Sequence, residues 1–349
     1  MAYVRNAWYV AGWVPDLARD RPTGITLLGE PVVLWHTGQH WAAFEDRCLH
    51  RLAPLSLGRC EGAHLRCLYH GLRYDTEGRV VEIPGQERIP PQARLRRYPA
   101  VERHSWLWVW MGEPAKADEA LIPPAVGFDD PAWILGRGQL DYAAEARLIN
   151  DNLLDFSHLS FVHANSFGAT SVWAEEHPRI TPLPRGIRYE RWVESSPPMR
   201  GREHAGRVDG WTRYDFLVPG VLLMLGAQYP EGTAKACGQG EPPEDLPALG
   251  KTFTSQAVTP LTDKTSRYFF SWGPHRTVGD EALRDILMGI AGQAFAEDKT
   301  MIEAQQRVID QTPNPRIMPA AHDRAITLFN QLVARMVREE ASTSQESAT

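Results

Sequence analysis

The first third of the chain contains short apolar runs separated by turn residues, a pattern that predicts β-strands. Residues 24–28 and 31–36 are runs of this kind, bounded by Gly, Pro or Asp. Residues 74–81 contain a Glu-Gly pair that is typical of a hairpin turn. In residues 105–111 tryptophan recurs at every second position, which places three indoles on one face of a strand. We therefore expect an all-β domain over residues 1–115.

The pattern changes after residues 112–131, a connector rich in Pro, Gly, Ala and Asp. Leucines recur at helical spacing in residues 150–162, and a longer amphipathic pattern covers residues 281–309. Between them, residues 180–275 combine apolar runs with frequent Pro and Gly, as expected for an antiparallel sheet. We therefore expect an α+β chain whose second domain, residues 116–349, packs this sheet against flanking helices.

Composition and charge narrow the class of protein. A chain of 349 residues suggests two domains, and its net charge of −6 argues against nucleic-acid binding. The amino terminus has no signal-peptide pattern, and an apolar run such as residues 221–225 is far too short to cross a bilayer. Four cysteines in so long a chain argue against a disulfide framework. We expect a soluble, cytoplasmic protein that binds neither nucleic acid nor a membrane.

Two short motifs in the predicted all-β domain pair a cysteine with a histidine. The four candidate ligands are Cys48, His50, Cys67 and His70. In a Rieske [2Fe–2S] cluster two cysteines hold one iron and two histidines hold the other, and imidazole in place of thiolate raises the reduction potential. A zinc site, or unligated residues in turns, are the alternatives. The flanking residues 47–54 and 66–72, with Gly71 after the second histidine, resemble the two halves of the Rieske signature, and this resemblance favours the cluster.

Residues 151–163 contain a second group of candidate ligands. On a helix, Asn152, Asp155 and His158 share one face because they are three residues apart. His163 follows about 140° further around a regular helix. The two histidines therefore need a bend or a helix end between them, or one of them must bind from the helix terminus. Two histidines and one carboxylate are the ligand set of a mononuclear non-haem Fe(II) site.

The third iron ligand should be a carboxylate far along the chain. Glu297 and Asp298 lie in the predicted helix of residues 281–309, and both are candidates. An acidic pair on a helix usually faces solvent, and two histidines on a helix are not by themselves a metal site. The cluster motif in the same chain makes the iron site the better interpretation. An electron-transfer cluster and an oxygen-activating iron together indicate an oxygenase.

The chain resembles the Rieske non-haem iron oxygenases over nearly its whole length. Within them it is most similar to the group that contains the oxygenase components of vanillate O-demethylase, dicamba O-demethylase and toluenesulfonate methyl-monooxygenase. The similar segments are both halves of the cluster motif and residues 4–10, 83–87, 151–158, 230–233 and 297–299. The resemblance implies an amino-terminal Rieske domain and a carboxy-terminal catalytic domain of helix-grip-like fold.

The resemblance also implies roles for individual residues. Asp298 would be the third ligand of the mononuclear iron, with Glu297 as the alternative. Family members are cyclic trimers or multiples of trimers, in which the cluster of one subunit lies near the mononuclear iron of the next. Asp155 would then form an electron-transfer bridge that links His158 to His70 of the partner subunit.

The implied function is that of the terminal oxygenase component of a monooxygenase. A separate flavin- or ferredoxin-type reductase would pass electrons from NADH to the cluster, and from there to an Fe(II) that activates O2. The expected substrate is a small, anionic aromatic whose methyl or methoxy group is hydroxylated, with loss of formaldehyde in the second case. Hydroxylation of an aromatic ring, or oxidation of a non-aromatic ring, by the same metals is the alternative.

Two other classes of protein are to be distinguished from the oxygenase. A Rieske electron carrier would be much shorter than this chain. A catalytically silent binding protein would not need the intact set of Asp155, His158, His163 and Asp298. Iron content separates the classes, with about three iron atoms per chain for the oxygenase and about two for the carrier.

The substrate is expected between the helix face of residues 152–159 and the sheet, because the reacting carbon must lie close to the iron. The candidate substrate contacts are Asn152, Phe156, Leu159 and Gln256. The positions that hold dicamba in its demethylase correspond here to Met224, Gln256 and Gly289. Dicamba itself is therefore not the expected substrate.

Overall fold

The computed structural model describes residues 3–164, 166–167, 171–175, 178–198 and 206–346. The chain divides into two compact units. The first comprises Met1–Ile122, Thr259–Asp263 and Glu340–Thr349, and the second Pro123–Val258 and Lys264–Glu339. The division after Ile122 falls inside the predicted connector of residues 112–131. The assignment of residues 1–115 and 116–349 as the two domains remains a proposal.

The first unit is built from antiparallel strands, as its apolar pattern predicts. They are β1 (Trp8–Trp13), β2 (Thr23–Leu27), β3 (Glu30–His36), β4 (Trp41–Glu45), β5 (Arg59–Cys60), β6 (Leu65–Arg66), β7 (Arg73–Tyr74), β8 (Val80–Glu82), β9 (Arg97–Tyr98), β10 (Ala100–Arg103) and β11 (Trp106–Trp110). The strands form sheets of order β1-β11-β10, β2-β3-β4-β9 and β5-β6-β7-β8. β7 and β8 pair as the predicted hairpin.

The core of this unit is rich in tryptophan. β11 is buried on both faces, so Trp106, Trp108 and Trp110 all lie in the interior. Trp8 meets Trp110 edge-on with ring centroids 5.5 Å apart, and the Trp13 ring lies 4.9 Å from that of Trp106. Aromatic side chains bury large apolar areas, so these contacts stabilise the pairing of β1 with β11.

The second unit contains a seven-stranded antiparallel sheet and helices, the α+β arrangement that the sequence predicts. The strands are β12 (Gly136–Tyr142), β13 (Arg179–Leu183), β14 (Gly186–Ser196), β15 (Val208–Leu217), β16 (Val221–Pro230), β17 (Gly250–Thr262) and β18 (Thr265–Pro274), in the order β12-β18-β17-β16-β15-β14-β13. The helices are α1 (Ala146–Leu154), α2 (Leu159–Val162), α3 (Val172–Glu175), α4 (Thr233–Ala236), α5 (Glu281–Gln311) and α6 (Arg324–Glu346). Over the described residues, none of these helices has the length and apolar character that a bilayer span requires.

The segment that contains both candidate histidines of the second unit is not one continuous helix. α1 ends at Leu154, and Asp155 has an extended backbone with φ −127° and ψ 102°. The Asp155 carboxylate accepts a hydrogen bond from the Ser157 N–H at 2.8 Å and caps a short 3-10 turn that precedes α2. A single helix over residues 150–162 is therefore wrong. The expected helix end is present, because His163 directly follows α2.

α5 places a carboxylate on the face that packs against the rest of the unit. The helix begins where the Asp280 carboxylate accepts a hydrogen bond from the Leu283 N–H at 2.9 Å, an ordinary N-cap. Its buried side chains are Leu283, Leu287, Ala291, Ala294, Phe295, Asp298, Ile302 and Gln306. An ionised carboxylate in such an apolar row needs charge or hydrogen-bond partners, since burying it alone is costly.

Candidate functional site

The two halves of the cluster motif lie on separate loops of the first unit. Cys48 follows β4 and Cys67 follows β6, and both thiols are buried in the same apolar cluster. His50 and His70 are exposed, and their ring centroids are 4.4 Å apart. The structure thus pairs the four predicted ligands as two buried sulfurs and two adjacent imidazoles. This donor set fits a [2Fe–2S] cluster with cysteine on one iron and histidine on the other.

Both loops use the same backbone turn. The Leu52 N–H donates to the Cys48 carbonyl at 2.9 Å, and the Gly71 N–H donates to the Cys67 carbonyl at 3.0 Å. Gly71 has a φ of 78°, and a Cβ at this position would lie 2.8 Å from Cγ of Pro84. In the first loop Leu52 takes the same turn position with a φ of 57°, so the turn favours glycine without requiring it. At Gly71 the close Pro84 ring is the additional constraint that a side chain would have to displace.

Tyr74 is a buried neighbour of the cluster motif that the sequence analysis missed. Its hydroxyl oxygen accepts a hydrogen bond from the Leu49 N–H at 3.1 Å and lies 3.1 Å from Sγ of Cys48. A cysteine sulfur bound to iron is a thiolate without a proton, so in the presence of the cluster the phenol is the donor and the sulfur the acceptor. Burial raises the pKa of Tyr74, so the proton is retained. The only sequence signal was a tyrosine four residues after His70, in a predicted strand.

The second unit brings His158, His163 and Asp298 together from three different elements. Nε2 of His163 lies 3.1 Å from Oδ1 of Asp298, and Nε2 of His158 lies 3.5 Å from the same oxygen. One ligand atom from each side chain lies within 4.8 Å of the other two. His163 is fully buried, and Asp298 is 4% exposed. Two imidazole nitrogens and one carboxylate oxygen are the donors that a mononuclear non-haem iron requires.

An unsatisfied polar atom supports the metal assignment. Nε2 of His163 is buried and makes no hydrogen bond of acceptable geometry among the described residues, although Asp298 Oδ1 is 3.1 Å away. Leaving a buried polar atom unpaired costs free energy. Coordination of a cation by this nitrogen removes that cost. The three side chains therefore fit a mononuclear iron.

Glu297, the alternative ligand, occupies a different position. Its Oε2 accepts hydrogen bonds from Nδ1 of His163 at 2.9 Å and from Oγ of Ser166 at 2.7 Å. Its Oε1 accepts a hydrogen bond from Nε2 of Gln293 at 3.0 Å. The carboxylate therefore contacts the ring nitrogen of His163 that faces away from Asp298. A carboxylate in this position fixes the tautomer and orientation of a ligating imidazole.

The protonation preferences of the site follow from burial and from these carboxylates. Burial lowers the pKa of His158, which favours the neutral imidazole that binds a metal. Burial opposes the charged form of His163 as well, but the negative charges of Asp298 and Glu297 and the hydrogen bond with Glu297 raise its pKa overall. Burial also opposes ionisation of Glu297, but its hydrogen bonds, first of all that from His163, lower its pKa.

Asn152 and Asp155 surround His158. Nδ2 of Asn152 donates to Oδ1 of Asp298 at 3.1 Å and lies 3.3 Å from Nε2 of His158. Nδ1 of His158 lies 2.5 Å from the backbone carbonyl of Asp155. The main-chain oxygen of Asp155, together with Asn152, therefore orients the imidazole. The bridging role expected for the Asp155 carboxylate concerns a partner subunit and stays a prediction.

A cavity of about 470 Å³ opens beside this triad. Its wall includes all four expected substrate contacts, Asn152, Phe156, Leu159 and Gln256. Of the three positions compared with dicamba demethylase, Met224 and Gln256 line it. Most of the wall is aromatic or aliphatic, including Phe167, Trp211, Trp272, Ile290 and Phe295. The sequence analysis missed these five. Phe167 lies only four residues after His163, whereas the other four come from β15, β18 and α5, far along the chain.

Known protein families match both units. Residues 7–99 match the family described as Rieske [2Fe-2S] domain. Residues 142–339 match the family described as Vanillate O-demethylase oxygenase C-terminal domain. These matches agree with the predicted order of an all-β cluster domain followed by a catalytic domain.

Individual relatives match along almost the whole chain. The chain is 40% identical over 345 residues to the putative toluene-4-sulfonate monooxygenase system iron-sulfur subunit TsaM2 of Comamonas testosteroni, covering 97% of this chain and 98% of that protein. It is 33% identical to the vanillate O-demethylase oxygenase subunit of Pseudomonas sp. strain HR199, covering 97% and 96% of the two chains. The crystal structure of dicamba monooxygenase bound to 3,6-dichlorosalicylic acid matches with a TM-score of 0.86 at 28% identity, covering 98% and 99%. The predicted fold class is confirmed.

Tyr74→Phe should lower the reduction potential of the cluster by roughly 40 mV, the one-electron equivalent of a hydrogen bond of roughly 1 kcal/mol. The hydroxyl donates to Cys48 sulfur and stabilises the more negative, reduced cluster. Redox titration followed by EPR measures the shift. Tyr98→Phe removes a buried hydroxyl that bonds Glu30 instead, so its potential should equal that of the wild type. Equal potentials in all three proteins would exclude the role of Tyr74.

Glu297→Gln should weaken binding of the mononuclear Fe(II) by about tenfold or more, because the carboxylate on His163 Nδ1 loses its charge. The dissociation constant is measured by chelator competition on protein with an intact cluster. Asp285→Asn on the exposed face of α5 is the matched control and should bind iron normally. If Glu297→Gln binds iron as tightly as this control, the outer carboxylate has no effect on the metal. If it loses iron completely while Asp298→Asn retains it, Glu297 is the ligand.

Proposed function

The chain belongs to the Rieske-type oxygenases that share the vanillate O-demethylase catalytic domain, and we propose that it hydroxylates the methyl or methoxy group of a small aromatic acid. It is the oxygenase component of a monooxygenase and contains a Rieske [2Fe–2S] cluster and a mononuclear iron. Its electrons come from a separate reductase, as the description of its relatives as oxygenase components implies.

The position of the triad in the cavity wall is the observation on which the proposed reaction depends. His158, His163 and Asp298 all line the cavity of about 470 Å³, so a molecule bound there lies next to the metal ligands. The cavity is large enough for a single substituted ring, and aromatic side chains such as Phe156 and Trp272 line it. The relatives named above are a toluene-4-sulfonate monooxygenase subunit and a vanillate O-demethylase subunit, which supports an aromatic acid as the substrate.

When bound, the two metal centres supply the electrons and the O2 activation that hydroxylation requires. The chain contributes three ligands on one side of the metal position and an apolar wall that excludes water. One oxygen atom enters a C–H bond of the substrate, and the other leaves as water with two electrons and two protons. A hydroxylated O-methyl group is a hemiacetal that breaks down to formaldehyde and a phenol. This breakdown needs no additional catalytic side chain.

The other classes of function are less well supported. A pure electron carrier has no use for the assembled triad, and the catalytic-domain family match covers residues 142–339. A silent binding protein would not need to keep three ligand atoms within 4.8 Å of one another beside a cavity. Hydroxylation of a ring carbon uses the same groups and is an outcome of the experiment below.

Toluene-4-sulfonate and vanillate should each be tested with a surrogate reductase, measuring NADH consumption, formaldehyde release and products by mass spectrometry. We expect substrate-dependent NADH consumption with hydroxylation at the methyl or methoxy carbon for at least one of them. His163→Ala should keep the cluster spectrum, bind about two instead of about three iron atoms per chain, and lose all turnover. NADH consumption that yields only ring-hydroxylated products would replace the proposed reaction with ring hydroxylation. Full turnover by His163→Ala would remove the triad from catalysis.

We also propose that the protein is a cytoplasmic homotrimer in which Asp155 links His158 to His70 of the partner subunit. The exposed end of the cluster motif supports a docking role. Leu49, Leu68 and Tyr69 are 41%, 56% and 61% exposed there, next to His50 and His70. Exposed apolar side chains around two ligand imidazoles suit a surface that is covered on assembly. NADH is an intracellular reductant, which supports the cytoplasmic location.

Asp155→Asn and His70→Ala homotrimers should both be nearly inactive, whereas trimers refolded or co-expressed as mixtures should regain activity. In a mixed trimer, one interface pairs an intact His70 with an intact Asp155. Single-turnover reduction of the mononuclear iron measures the recovery. Mixed trimers that remain inactive would show that electrons do not cross between subunits by this route.

A further inference from the structure

One strand supplies a row of polar side chains to the otherwise apolar cavity. Thr252, Thr254 and Gln256 alternate along β17, so they point to the same face of the sheet, and all three line the cavity. Thr254 is 2% and Gln256 5% exposed. Buried polar groups need hydrogen-bond partners. The donors and acceptors that these side chains do not use within the protein therefore indicate which donors or acceptors a ligand must supply.

The Gln256 amide is held in one orientation by Tyr268. The Tyr268 hydroxyl donates to Oε1 of Gln256 at 2.6 Å, and Nε2 of Gln256 donates to Oγ1 of Thr254 at 3.1 Å. The shorter distance is usual for O–H···O and the longer one for N–H···O, which agrees with this assignment of the amide oxygen and nitrogen. Burial keeps the pKa of Tyr268 well above its ordinary value, so the phenol proton stays available. Tyr268 therefore makes the amide present its nitrogen side to Thr254.

The hydrogen-bonding capacity left on Gln256, Thr254 and Trp272 consists of donors. An amide nitrogen has two protons, and one of those on Gln256 is used by Thr254. The Thr254 oxygen accepts that bond, so its own hydroxyl proton is left to donate. Trp272 adds a third donor, because its indole N–H is buried and has no acceptor among the described residues. These three donors are neutral groups. The described part of the cavity wall contains no lysine or arginine that would add a charged donor.

We propose that Thr254 and Gln256 bind a hydrogen-free acceptor group of the aromatic substrate, a sulfonate or carboxylate oxygen, and that Tyr268 is the positioning residue that makes Gln256 a donor. This inference rests on the proposed function and specifies which end of the substrate faces β17. An amino substituent at the same position would place its N–H donors against the donors of Thr254 and Gln256, so neither side would have an acceptor. An unpaired buried donor costs about 1–3 kcal/mol, which corresponds to roughly 5-fold to 150-fold in affinity.

The test uses the cluster-containing holoenzyme and three probes of similar size: 4-methylbenzenesulfonate, 4-methylaniline and 1,4-dimethylbenzene. Wild-type protein should bind the sulfonate at least about tenfold more tightly than the aniline by calorimetry. Thr254→Val should lose about tenfold in affinity for the sulfonate and none for 1,4-dimethylbenzene, while Thr254→Ser retains the wild-type preference.

Tyr268→Phe frees the Gln256 amide to turn and should reduce the ratio of sulfonate to aniline affinity. It should raise KM for the sulfonate more than it changes kcat.

Tyr229→Phe is the matched control, since Tyr229 is a buried tyrosine of the neighbouring strand β16 that does not line the cavity. It should leave the affinity ratio unchanged. If Thr254→Val and Tyr268→Phe fold with intact cluster spectra and keep the wild-type ratio, the inference is wrong even when the sulfonate is hydroxylated. If wild-type protein hydroxylates none of the aromatic probes, the proposed function itself fails. If one of the two variants does not fold, the other decides by the same criterion: a ratio equal to that of Tyr229→Phe contradicts the inference, and a reduced ratio supports it.

Discussion

The buried carboxylate of Asp298 is the constraint on which the catalytic unit depends. It is 4% exposed in a helix face that is otherwise almost entirely apolar, where an isolated charge would cost several kcal/mol. Asn152 donates one hydrogen bond to it, and two imidazoles lie within 3.5 Å. Neutral imidazoles offset a charge only weakly, whereas a divalent cation held by all three side chains offsets it directly. The break after α1 and the end of α2 are what bring both histidines to this carboxylate.

In the first unit, too, the position of each ligand follows from its polarity. Both thiols lie in a core that includes Tyr74, and both imidazoles lie at the surface. The Tyr74 hydroxyl bonds the Cys48 sulfur, and backbone hydrogen bonds satisfy the N–H and C=O groups of Cys48 and Cys67. Without these bonds the core would leave polar atoms unpaired. The unit therefore keeps its sulfur end dry and presents its histidine end, the arrangement that an electron-transfer centre needs if a partner is to approach it.

The metal ligands and the polar side chains of β17 come from different elements of the cavity wall. The ligands come from α1–α2 and α5, whereas Thr254, Gln256 and Trp272 come from the sheet. Substitutions on the sheet can change the cavity without displacing a ligand. The chain keeps the fold of a dicamba monooxygenase at 28% identity, and the sheet is where a shared fold can carry a different cavity wall.

Local sequence determined the cluster motif, because Cys48 and His50, like Cys67 and His70, are neighbours whose spacing alone defines a ligand pair. It likewise determined the strand-rich first unit and the need for a helix end before His163, since both follow from periodicity. The choice between Glu297 and Asp298 could not be made locally, because adjacent helical residues differ by about 100° in direction, and only packing decides which one faces the histidines. The contact of the Tyr74 hydroxyl with Cys48 joins a strand to a distant loop, and the hydrogen bond of Tyr268 with Gln256 joins two strands. Such contacts depend on strand order and register, which a pattern of period two does not specify, so only the tertiary structure decided them.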